Sequence, residues 1–159
     1  MQVAILLLPL AATPASPEEC SAVHSVAAGT TSLSVSNGSG RVMAQVSARK
    51  STAKDAFGPR YKRGQFPEHI LTVTELILRV NGESLFVPRS VFLDLAGTRS
   101  ARLCWSDQAG RMVLSGGDGA ESFRVELTFD RTAVKHRAVF SGELPGLPLE
   151  ETTYHQRSL

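Results

Sequence analysis

The strongest pattern in the chain is a strict alternation over residues 123–130. Phe123, Val125, Leu127 and Phe129 fall on one side, and Arg124, Glu126, Thr128 and Asp130 on the other. A period of two means a strand with one face on a core and one in water. Asp130-Arg131-Thr132 reads as a turn. A return strand over 133–141 then places Val134, His136, Ala138 and Phe140 on a common face.

A second hairpin is signalled by Asn81-Gly82, a dipeptide suited to the positive φ angles of a two-residue turn. The arm before it, 70–80, is rich in Ile, Leu, Val and Thr. Leu71, Glu75, Leu78 and Arg79 also have helical spacing, but the β-branched content decides for strand. The return arm, 83–87, stops at Pro88. A third hairpin centres on residues 107–110, with Leu103 and Trp105 before it and Met112 and Leu114 after it. Further strands are expected at 22–26, 31–35, 41–48 and 150–155, with glycine-containing turns at Gly29 and over 37–40. Residues 89–95 form an apolar cluster without alternation. There the pattern predicts the only helix of the chain body, short, capped by Ser90 and ended by Gly97. Residues 49–66 lack periodicity and read as the longest loop.

About eight short strands with turn signals between them predict an all-β fold: a single antiparallel β-sandwich or small barrel, with one short helix near 89–95. Sandwich and barrel stay open at this level. An outer-membrane barrel carries aromatic girdles. Aromatic residues are only 6% of this chain, which argues against one.

The N-terminus departs from this texture. Residues 3–12 read VAILLLPLAA, followed by Thr13, Pro14, Ala15, Ser16 and Pro17. An apolar run this short does not span a bilayer, and small residues after it resemble a cleavage zone. Residues 1–15 are therefore expected to be a signal peptide, without the usual basic start, and residues 20–157 a single β domain. That places the protein in a periplasmic or extracellular space, with no membrane span in the mature chain. In such a compartment the two cysteines, Cys20 and Cys104, are expected to form a disulfide.

The 159 residues carry 17 Lys+Arg against 15 Asp+Glu, a net charge of +2. A balance this even argues against a dedicated nucleic-acid binder. The histidines, His24, His69, His136 and His155, have no metal-ligand spacing. Asp118 and Glu121 lie in a glycine-rich stretch that lacks the further carboxylates of a calcium loop. There is no GxSxG, P-loop or GxGxxG. Neither a metal, nor a cofactor, nor a catalytic residue is assigned. Asn37-Gly38-Ser39 is a formal glycosylation sequon whose plain reading is a turn.

One charge feature stands out. Arg49, Lys50, Lys54, Arg60, Lys62 and Arg63 face a single acid, Asp55, with Phe57, Tyr61 and Phe66 among or beside them. This stretch is the candidate contact for an anionic macromolecule or surface, and Arg131, Lys135 and Arg137 would strengthen it if they lay nearby. The function expected is a small exported, non-enzymatic binding or structural module. The alternatives are a β-barrel-type carrier of a small apolar ligand and, behind it, a hydrolase with a spatially assembled site.

Overall fold

The computed structural model describes residues 17–57 and 67–155. The expected signal peptide, residues 1–15, lies outside them. Every extended strand pair is antiparallel, and the strands form two sheets, as in a β-sandwich. Strands β3 (Gly29–Asn37), β4 (Gly40–Thr52), β5 (His69–Val80) and β6 (Glu83–Ser84) make a four-stranded meander. Strands β7 (Thr98–Trp105), β8 (Gly110–Gly116), β9 (Phe123–Phe129), β10 (Val134–Ser141) and β11 (Pro148–Thr153) make a second meander. Two short strands, β1 (Glu19–Cys20) and β2 (His24–Ser25), lie along the outer edge of β7 and bring the second sheet to seven strands.

The turns form where their residues allow. Asn81 and Gly82 both take positive φ, 52° and 91°, as a type I′ hairpin requires. Backbone bonds also tie the sheets together at their corners. Val73 N–H donates to the Leu95 carbonyl at 3.0 Å, and Phe86 N–H to the Thr132 carbonyl at 3.0 Å. The core lies between the sheets: Leu33, Val42, Val46 and Leu78 of one face Leu103, Met112, Leu114 and Leu127 of the other, all at most 2% exposed. The segment between β6 and β7 adds Leu85, Val91, Phe92 and Leu95 to the same cluster.

The disulfide joins Cys20 to Cys104 across 84 residues, at directly opposed positions of β1 and β7. It fastens the start of the described chain to the middle of the second sheet. Beside it, the Glu18 carboxylate holds the Arg111 guanidinium at 2.7 Å.

Four local expectations need correction. Residues 89–95 are not a helix: a 3₁₀ turn covers only Arg89–Val91, it follows Pro88, and no side chain caps it. A short α-helix, α1 (Ala53–Phe57), forms instead within the expected loop. Thr52 caps it, accepting the Asp55 N–H at 3.1 Å and donating its hydroxyl to Asp55 Oδ2 at 2.5 Å. Strand β4 runs to Thr52 rather than stopping at residue 48. The extra residue Thr74 makes a bulge in β5 opposite Ser47/Ala48, whereas β4 itself alternates unbroken through Val42, Ala44, Val46 and Ala48. The bulge sets Val73 and Leu76 three residues apart on the buried face of β5, a spacing that a helix would share. Finally, a bulge between Val134 and His136 shifts β10 by one residue. Beyond it Arg137 and Val139, not His136 and Phe140, lie opposite the core residues Leu127 and Val125.

Candidate functional site

Antiparallel order brings the start of β5, β7, β9 and β11 and the end of β4, β8 and β10 to one end of the sandwich. There the two sheets part around an open cavity of about 810 Å³. Its walls are Ile70 and Leu71 of β5, Phe123 of β9, Val139 and Phe140 of β10, and Leu149 of β11. Leu71, Phe123 and Val139 pack their other sides against the core. Leu95, Thr98, Val125 and Arg137, all nearly or fully buried, make the floor. Leu149 is 66% exposed at the mouth, and Leu144 and Leu147 of the β10–β11 connection are exposed as well.

Arg137 is the one buried charge among the described residues, at 2% exposure. The β10 bulge turns it onto the core face. Its Nε donates to the Val91 carbonyl at 3.2 Å, its Nη1 to Glu150 Oε1 at 2.6 Å and its Nη2 to Asp94 Oδ2 at 2.6 Å. Both carboxylates are more than half exposed, at 57% and 55%. The guanidinium therefore keeps hydrated counter-charges although it is itself dry, which limits the cost of burying it. It also clamps β11 to the 3₁₀ turn. At the rim, Arg99 and Asp118 stand 3.6 Å apart. The fixed charges around the cavity are thus largely matched within the protein.

Thr98 is the exception to this satisfied chemistry. It is fully buried on the cavity floor, and its Oγ1 has no hydrogen-bond partner. A buried hydroxyl left without a partner costs roughly 1–3 kcal/mol, and valine would fill the same space without that cost.

The basic candidates are divided. Arg60, Lys62 and Arg63 lie outside the described residues. Arg49 and Lys50 lie near the end of β4 and, with Ser51, Thr52, Asp55 and His69, line a groove of about 450 Å³. His69 belongs to both the groove and the cavity, so the two adjoin. Lys54 is exposed on α1. The last hairpin does not extend this basic face. Arg131 sits at the opposite end, donating to the Asp107 carbonyl at 3.1 Å; Lys135 is 3.0 Å from Asp130; and Arg137 is buried.

That opposite end is built for rigidity. Trp105 Nε1 donates to Ser39 Oγ at 3.0 Å, and Ser39 Oγ donates to Asn37 Oδ1 at 2.6 Å. The sequon asparagine is thus part of a turn that locks the buried tryptophan. Asp130 organises the β9–β10 turn. Burial pushes its carboxyl up, but bonds from the Thr132 hydroxyl, the Thr132 and Ala133 amides and Lys135 outweigh that and hold it well below the usual carboxylate range.

Sequence reasoning missed the cavity, Thr98 and the inward aim of Arg137. A residue-by-residue pattern carries only one signal for them: the phase slip at Lys135, where strict alternation would have left Arg137 in water. No family model, curated protein or solved structure matches this chain.

Proposed function

We propose that this protein is a non-enzymatic binding module that holds a small, largely apolar molecule in the cavity at the end of its sandwich. One observation carries the reading: an apolar-walled cavity of about 810 Å³ at which Arg99, Asp118, Asp94 and Arg137 are already ion-paired, leaving Glu121, among the described residues, as the lining carboxylate outside a pair. Ligand pockets of roughly 300–1,000 Å³ with apolar walls and few polar groups are the common form of small-molecule sites. The Cys20–Cys104 disulfide is compatible with an exported location. Among the described residues no helix is long and apolar enough to cross a membrane.

The test uses the oxidised protein and N-phenyl-1-naphthylamine, an uncharged dye whose emission rises in apolar surroundings. Saturable binding at one site is expected. Val139→Trp, which fills the cavity from β10, should abolish it while the chain still unfolds cooperatively. Absence of saturable binding, or binding unaffected by Val139→Trp, would sink the reading.

A second reading rests on the groove at Arg49 and Lys50, which adjoins the cavity through His69. It is a contact for an anionic macromolecule. Dextran sulfate should then retain the protein in a salt-sensitive way, and Arg49→Glu with Lys50→Glu should release it. Unchanged retention in the double variant would remove that groove from consideration.

A further inference from the structure

We propose that the molecule held in the cavity carries an uncharged hydrogen-bonding group, a hydroxyl or a carbonyl, that partners Thr98 at the floor. The inference rests on the cavity reading above and adds the chemistry of the ligand's polar end.

Three observations lead to it. Thr98 lines the cavity, is fully buried and leaves its Oγ1 unpartnered. Buried side-chain hydroxyls nearly always have a partner, so each exception asks for a physical reason. A missing ligand group supplies one here. Next, the floor's only charge is taken: Arg137 already faces Asp94 and Glu150, each at 2.6 Å, and the Val91 carbonyl. A charged ligand group brought to the floor would lose its water and find no free counter-charge. Last, the walls above Thr98 are hydrocarbon, from Ile70, Leu71, Phe123 and Val139, so the rest of the ligand is apolar.

Thr72 provides an internal control. Its Oγ1 is also buried and unpartnered, but Thr72 does not line the cavity.

The experiment compares naphthalene with 2-naphthol, two probes alike in size that differ by one hydroxyl. Each displaces N-phenyl-1-naphthylamine from the oxidised protein, and the dissociation constants are corrected for octanol–water partition. In the wild-type chain 2-naphthol should be favoured about tenfold beyond its partition, the order expected of one buried hydrogen bond. Thr98→Val should erase that preference and leave naphthalene unchanged. Thr98→Ser and Thr72→Val should keep it. Absence of the preference in the wild type, or its survival in Thr98→Val, overturns the inference while leaving the cavity reading intact. The wild-type comparison decides alone if the valine chain does not fold. If neither probe displaces the dye, the cavity reading fails and the inference with it.

Discussion

Gly110 stands in the ladder between two large aromatic residues, with Trp105 opposite it on β7 and Phe129 opposite it on β9. The two rings stack across it, centroids 6.3 Å apart and planes 16° from parallel. A Cβ at position 110 would lie far inside van der Waals contact with Cζ and Cε2 of Phe129. Gly110→Ala therefore sets two effects against each other. Alanine relieves the strand of a flexible residue, a gain of roughly 0.5–1 kcal/mol. It also overpacks a core, which costs about 1–3 kcal/mol. The ring has little room to yield: Phe129 is 1% exposed, and Trp105 behind it is fully buried and held through Nε1 by Ser39. Packing should win, for a net loss of about 1–2 kcal/mol and a drop in Tm of roughly 2–4 °C per kcal/mol. Phe129→Leu removes the obstacle at its own cost. In that background Gly110→Ala should become neutral or slightly stabilising, so the two changes couple by about 1.5–2.5 kcal/mol, well beyond the ~0.5 kcal/mol scatter of independent sites. Urea unfolding of the oxidised chain, followed by the fluorescence of its single tryptophan, measures all four corners of the cycle. Additivity within ~0.5 kcal/mol would refute the argument that ring contact, rather than backbone geometry, reserves position 110 for glycine.

Two further outcomes test other parts of the structure. Replacing Cys20 and Cys104 with alanine opens a bridge spanning 84 residues. The chain-entropy model puts the loss at about 4–5 kcal/mol, read as a lower urea midpoint; a loss below ~1 kcal/mol would contradict that account. Asp130 has a carboxyl held below its usual range in the folded chain. Its stabilising contribution is then complete above the unfolded value of about 4 and is lost as pH falls through the lower folded value. Asp130→Asn should accordingly lower the urea midpoint at pH 7 and converge with wild type as the pH drops below about 4. A gap that is constant from pH 7 to pH 2 would show that the turn's hydrogen-bond geometry matters and the charge does not.

The fold class was legible because most strands obey simple alternation. β9 reads off the sequence without a break, and its buried face is the one expected: Val125, Leu127 and Phe129 are each at most 1% exposed. The β5–β6 hairpin was legible from two residues, since Asn81-Gly82 tolerates the positive φ values that its turn demands. Cys20 and Cys104 were the only cysteines, so an oxidised pairing had one partner choice. Part of what escaped shares a cause. A bulge adds one residue to one strand, and with a period of two that exchanges every later inward and outward position. Thr74 does so in β5 and Lys135 in β10. The end of β4 escaped for another reason: Arg49, Lys50 and Thr52 are exposed and polar, so no alternation marks the strand there, although Thr52 and Asp55 carried the spacing of a helix cap.

At Val134/His136 the consequence reaches the candidate site. Without that bulge Arg137 would face water, and Phe140 would fill space on the core side. With it, a cation enters the floor and must be met by Asp94 and Glu150 from two other segments. Phe140 moves to the cavity's wall rather than its interior. One extra residue in β10 thus accounts for both the buried charge and part of the empty space beside it. Deleting Lys135, the bulged residue, should restore simple alternation in β10. It would leave His136 opposite Thr128, Arg137 opposite Leu127 and Val139 opposite Val125, so that Arg137 keeps its clamp and Val139 its place on the cavity wall. N-phenyl-1-naphthylamine binding should therefore survive the deletion in a chain that still unfolds cooperatively. Loss of dye binding in such a chain would refute this account of the register, because it would mean that the residues beyond position 135 had exchanged faces.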